Sequence, residues 1–291
     1  TRSSESDDLA TCRRHWLKDQ AVVALLFYRS HVQAGNVDVF NAFITILQEQ
    51  QLNPLPIAVN SLKDEHSLKW VQDCMAAADV QAVINTTGFA SNRLFTGAAL
   101  SLFANSTPVI QAILAGSDLA FWQNSSKGLN AADIAMHVCL PEMDGNIIAR
   151  AVSFKDLSRH CERSQTDIVH YQLLPERARF VAQLALNWTR LRSLKNKDKR
   201  IGIILANYPN KDGRIGNGVG LDTPASLLQL LHSLKEQGYQ TGDLPRDSQQ
   251  LMQHILTSVS NDPQHTDLRY CWQSMSLTEY QNCFSALPQI N

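Results

Sequence analysis

No C-x-x-C pair occurs in this sequence. The six cysteines (Cys12, Cys74, Cys139, Cys161, Cys271 and Cys283) are scattered along 291 residues. Such spacing excludes a disulfide scaffold and a structural zinc framework. It fits a reducing compartment, here the cytoplasm. No apolar run approaches the ~20 residues needed to span a bilayer. The longest, residues 21–28, has the length of a buried strand. An excess of either charge is also missing: 26 Lys and Arg face 27 Asp and Glu. That balance gives no reason to expect nucleic acid or an anionic membrane as partner. Glycine is scarce, with 13 in the chain. The opening, "TRSSESDDLATCRRHW", has neither an initiator Met nor a signal-peptide pattern. Because "FSALPQIN" follows directly on a helical pattern, the chain reads as an internal piece of something longer.

What is present is an alternation of strand-like and helix-like segments. Residues 21–28 form a continuous apolar run, as a strand buried on both faces requires. Helical spacing follows in Val39, Phe40, Phe43, Ile44 and Leu47. Strands are then expected at 55–59, 80–85 and 107–114, with a helix over 67–78. This rhythm predicts βαβ units and a parallel sheet. Residues 136–154 read as two extended runs joined at Asp144–Gly145. An amphipathic helix is expected over 175–194, a strand over 201–206 and a helix from Pro224 to Gln237. Thr223 is expected as N-cap and Gly238 as the stop. Further helix is expected at 251–258 and 277–287. The fold class is therefore α/β, with two flavodoxin-like (Rossmann-type) lobes of mainly parallel sheet flanked by helices. The first spans 1–155 with a polar N-terminal extension, and the second spans 156–291.

Four of the eight residues in "GRIGNGVG" (Gly213 to Gly220) are glycine. A strand, such a loop and a helix together can cradle an anion between loop amides and a helix N-terminus. Yet the loop matches neither G-x-x-x-x-G-K-[ST] nor G-x-G-x-x-G. Asp222 would compete with an anion for the helix dipole, so a structural turn stands beside the anion site. Glu142 and Asp144 would share one face of an extended chain. Paired carboxylates can hold a metal or divide proton-transfer roles. The alternative is a turn-making Asp144 and a solvated Glu142. Arg29 and His31 fall just beyond the C-terminal end of the first strand, where open α/β sheets bind ligands. Thr86, Thr87 and Gly88 leave another strand toward the same edge. His137 and Cys139 are either soft-metal ligands or residues alternating with the core.

In order, "LLFYRSHVQAGN", "NTTGFA", "DIAMHVCLPEMDGNIIARAVSFK" and "RIGIILANYPNKDGRIGNGVGLDTPASLLQLLHSLKEQGY" resemble the large subunits of cobaltochelatase (the CobN type) and their relatives, the H subunits of magnesium chelatase. The likeness runs from about residue 21 to the C-terminus. It implies a tetrapyrrole- and metal-binding segment of a ligase-class, ATP-dependent chelatase. The metal substrate would be Co2+, inserted into hydrogenobyrinic acid a,c-diamide on the route to cobalamin. The alternative is Mg2+ and protoporphyrin IX. AAA+ partner subunits would hydrolyse the ATP, and the isolated segment would be inactive.

Under this resemblance Glu142, His31 and Asp144 are the candidate catalytic residues, and Glu142, His31 and Asp222 the candidate metal ligands. Arg29, Thr87, Gly88, Asn207, Tyr208, Gly213, Gly216, Asn217, Gly218 and Gly220 would contact substrate. Pro209 is followed by Asn210 where the family often has a second proline, and "NTTGFA" departs slightly from the family form. Two other classes compete: a non-catalytic small-anion-binding α/β module, and a scaffold that docks ATPase partners.

Overall fold

The computed structural model describes residues 3–88, 107–206, 215–259, 269–271 and 274–287. In chain order the elements are α1 (Ser3–Arg14), β1 (Val22–Tyr28), α2 (Arg29–Gln33), α3 (Asp38–Glu49), β2 (Asn53–Val59), α4 (Glu65–Ala77), β3 (Val80–Asn85) and β4 (Val109–Asp118). Then come α5 (Leu119–Asn124), α6 (Ala131–Ile134), a π-turn (Ala135–Cys139), α7 (Leu140–Met143), β5 (Ile147–Cys161), β6 (Thr166–Leu173) and α8 (Pro175–Ser193). The remainder holds a short 3-10 turn at Asn196–Asp198, α9 (Thr223–Glu236), α10 (Ser248–Leu256) and α11 (Leu277–Ser285).

Six strands form one sheet in the order β2-β1-β3-β4-β5-β6. The first five are parallel, and β6 returns antiparallel along β5. This confirms the α/β class. The 2-1-3-4-5 order is the flavodoxin-like one, whose topological switch lies between β1 and β3. Strand β1 is apolar throughout because both of its faces are covered. Val23, Leu25 and Phe27 join Ile84, Ala112 and Val152 beneath α3 and α8. The alternate residues Val22, Ala24 and Leu26 join Val71 and Met75 of α4 on the other face. A third cluster, Ile113, Ala115, Ala151 and Phe154, packs with Trp122 of α5 and Val138.

Three expectations are corrected. Residues 136–143 are helical, not extended. The alternation of Met136, Val138 and Leu140 imitates a strand, but Asn130 caps a helix there by accepting the Asp133 N–H at 2.8 Å. Second, the compact units divide at Ser193/Leu194, not near residue 155. β6 pairs with β5, and α8 buries Ala178, Val181, Ala182 and Ala185 in the first unit's core. Third, residues 201–206 pair with no strand among the described residues, and Ile204 is 97% exposed. An apolar run becomes a strand only where another backbone meets its N–H and C=O groups.

In the second unit Leu251 is the one buried hydrophobic residue among those described, and α9 and α11 bury none. So little apolar burial among the described residues offers little to offset the entropy of ordering the chain. Separate expression is therefore expected to give a cooperative thermal transition for residues 1–193. Residues 194–291 should show helical circular dichroism without a sharp transition. A sharp transition in the second fragment would contradict this account.

Candidate functional site at the C-terminal edge of the sheet

Strands β1 and β3 end side by side at the switch point. The last residue of β1, Tyr28, donates its hydroxyl to the Gly88 carbonyl at 2.6 Å. Thr86 donates both its N–H (2.9 Å) and its hydroxyl (2.8 Å) to the Leu26 carbonyl. Beneath lies a buried polar network. Gln111 accepts from the Asn85 amide at 3.0 Å and the Asn146 amide at 3.2 Å, and donates to the Thr87 carbonyl at 2.8 Å. Thr87 gives its hydroxyl to Asn85 Oδ1 at 2.8 Å and is 2% exposed. Thr87, expected to contact substrate, is thus part of the scaffold under the edge. Networks of this kind rigidify a site when every member is satisfied.

The α6–π-turn–α7 segment lies across this edge. Asp133 accepts the Gly116 N–H, at the end of β4, at 3.0 Å on each carboxylate oxygen. It also takes an N–H from the Asn130 side chain at 2.8 Å. His137, in the π-turn, packs on Gly88, where a Cβ would lie 3.1 Å from Cε1 of the ring. A side chain at Gly88 would therefore press on the imidazole that fills this space. His137 Nδ1 is buried and has no hydrogen-bond partner. The sequence offers His137 as a soft-metal ligand or a residue alternating with the core, and only the fold brings it to Gly88.

Glu142 ends up exposed in α7, and Asp144 is the C-cap of that helix. The two do not project from one face of an extended strand. Asn146, two residues on, is buried through its bond to Gln111. His31 sits in α2, its ring edge-on to Phe40 (5.1 Å) and Tyr171 (5.4 Å). Arg29 is exposed at the start of α2. Among the described residues no group of three or more His, Cys, Asp or Glu is placed to hold a metal. Within the first unit, Glu142 and His31 are part of no such group.

Four titratable groups at this edge shift in one sense. Burial raises the Tyr28 and Tyr171 phenols, the former in opposition to its hydrogen bonds with Thr87 and Gly88. The charge of Asp133 adds to the rise at Tyr171. Burial lowers the His31 imidazole. It lowers His137 as well, with Asp133 opposing in part. Every shift favours the neutral form, as a desolvated edge requires. Folded His137 and His31 bind protons more weakly than unfolded imidazole, so the unfolded state takes up more protons just below the ordinary value of 6.5. Their contribution is complete above that value and is lost as pH falls through the folded pKa. Melting temperature measured from about pH 8 to pH 5 should decline on the acid side, and His137→Gln should flatten the decline. An unchanged slope in the variant would remove His137 from this account.

The glycine loop is described from Ile215 onward, so Asn207, Tyr208 and Gly213 lie outside the described residues. Gly216 and Gly220 have φ of +70° and +73°, where a side chain is strained. A Cβ on Gly218 would stand 2.9 Å from Thr223 Oγ1. The chain's own turn therefore explains these three glycines. Asn217 is exposed. Asp222, expected as a metal ligand, is instead the N-cap of α9 and accepts the Ala225 N–H at 3.0 Å. It takes the place expected for Thr223, because its carboxylate reaches the orphan amide.

No helix among the described residues is long and apolar enough to cross a membrane. Residues 2–291 match the family described as CobN/Magnesium Chelatase. The aerobic cobaltochelatase subunit CobN of Pseudomonas aeruginosa is 46% identical over 96% of this chain and 22% of its own length. CobN of a Sinorhizobium species is 40% identical over 92% of the chain and 21% of its own length. The rice magnesium-chelatase subunit ChlH, chloroplastic, is 25% identical over 91% of the chain and 19% of its own length. Among solved structures, the catalytic subunit of cobaltochelatase from Mycobacterium tuberculosis superimposes with a TM-score of 0.71 at 29% identity. That match covers 93% of this chain and 22% of the other. The chain thus spans about a fifth of the length of these relatives. With its strand order, its switch-point edge and a match over nearly every residue, the chain belongs to the CobN/magnesium chelatase family.

Proposed function

We propose that this chain is the tetrapyrrole-facing segment of a metal chelatase subunit, and that its metal substrate is Co2+. Its corrinoid substrate is hydrogenobyrinic acid a,c-diamide. The observation that carries the site is the set of four half-buried side chains at one sheet edge, each held toward its neutral form: Tyr28, His31, His137 and Tyr171. A desolvated edge of this kind suits a flat, largely apolar macrocycle. The exposed Arg29 guanidinium beside it suits the ring's peripheral carboxylates. Identities of 46% and 40% to cobaltochelatase subunits, against 25% to a magnesium one, support cobalt over magnesium.

Metal insertion removes two pyrrolic protons while the ion sheds its water. Glu142, exposed on the helix that crosses the edge, is the proposed proton acceptor. Asp144 and His31 flank that role, and ATP hydrolysis belongs to separate AAA+ partner subunits in the cytoplasm. The test is an absorbance titration of this chain with hydrogenobyrinic acid a,c-diamide, with protoporphyrin IX in parallel. Saturable binding of the corrinoid precursor, weakened about tenfold in Arg29→Ala, is expected. Tighter binding of protoporphyrin would move the assignment to magnesium. Binding of phosphate but of neither macrocycle would replace it with an anion-binding module.

A further inference from the structure

The helix that carries Glu142 contains a π-turn, Ala135–Cys139, closed by the Leu140 N–H donating to the Ala135 carbonyl five residues back. A π-turn accommodates one extra residue in a single turn. At 3.6 residues per turn, that residue rotates everything beyond it by about 100° around the axis. The face from which Glu142 emerges is therefore set by whether the turn persists. Such turns are less well bonded than α-helix and need support from outside.

That support is in place at three points. Asp133 fixes the segment to Gly116 at the end of β4, before the turn. Asn146 fixes it to buried Gln111 after α7. Between them, inside the turn, the His137 ring seats against Gly88, just beyond the end of β3. The absence of a side chain at Gly88 is what admits the ring. His137 Nδ1 makes no hydrogen bond there, and the contact of the ring with Gly88 is one of packing.

We infer that His137 is a positioning residue for Glu142: seated on Gly88, its ring holds the π-turn and so fixes the direction in which the carboxylate leaves the sheet edge. The inference rests on the reading of Glu142 as proton acceptor. It adds a residue that acts through the carboxylate, and it assigns Gly88 the role of socket.

The test is a double-mutant cycle on metal insertion in the full-length subunit, with E142Q, H137A and the pair. H137A is expected to lower kcat about tenfold, with KM for the tetrapyrrole changed by less than about twofold. In the E142Q background, H137A should cause no further loss, because its effect passes through that carboxylate. In this chain, amide exchange over residues 138–143 should quicken in H137A while β1 and β3 stay protected. If H137A proves insoluble, Gly88→Ala, whose Cβ displaces the same ring, replaces it in the cycle. Losses that multiply in the pair, or a KM that rises in step with the fall in kcat, would overturn the inference. A wild-type kcat in E142Q alone would instead remove Glu142 as proton acceptor, and the positioning role with it.

Discussion

Replacing Gln111 with leucine is expected to lower the unfolding free energy by about 3–5 kcal/mol, since each buried polar group left unpaired costs about 1–3 kcal/mol. Gln111 is fully buried and serves three partners at once: the Asn85 amide, the Asn146 amide and the Thr87 carbonyl. Leucine fills a similar volume, so packing is nearly conserved, and the loss measures the orphaned groups. Total stabilities of ~5–15 kcal/mol make this a large fraction of the whole. Urea unfolding followed by circular dichroism reads it. The damage should concentrate at the sheet edge, because Thr87 precedes Gly88 and Asn146 anchors the end of the Glu142 helix. A change below about 1 kcal/mol would mean that the surroundings re-satisfy those groups, and the edge would be softer than the network implies.

Glu142→Gln is expected to reduce the rate of metal insertion about a hundredfold, the lower end of what a positioned general base contributes. Glu142 is exposed, so the substitution should leave folding unchanged. Tetrapyrrole affinity should hold as well, so the effect falls on kcat. Asp144→Asn should do less. Asp144 caps α7, and its part in the turn does not depend on charge at the macrocycle. Rates with excess metal separate the two carboxylate roles. If raising the metal concentration restores Glu142→Gln, the side chain captures the ion and is not the proton acceptor. A loss that metal cannot restore supports the proton role.

Much of the first unit was legible in the sequence for a plain reason. β1, β3, α3 and α8 carry strong periodic or continuous apolar patterns, and such patterns survive any arrangement of neighbours. The edge was legible too, since residues after parallel strands converge wherever the sheet forms. The Met136–Leu140 segment was misread because a short apolar alternation suits a strand as well as a buried helix, and the cap at Asn130 settles it only in context. The run at 201–206 carries the composition of a strand without a paired neighbour among the described residues. The glycine loop drew attention as a binding element, while Gly216, Gly218 and Gly220 answer to φ and to Thr223. Composition marks an unusual backbone but not its cause.

By itself, then, the sequence determined the α/β class, the family resemblance and the strand ends at which a site could form. Each of these depends on local periodicity or on runs of residues that can be read in order. Only the tertiary structure decided that β6 and α8 belong to the first unit, that Thr87 is scaffold and that Asp222 is a cap. It also brought His137 onto Gly88 and turned Glu142 outward on an interrupted helix. Those outcomes depend on which distant backbone fills a given space, and no local pattern carries that information.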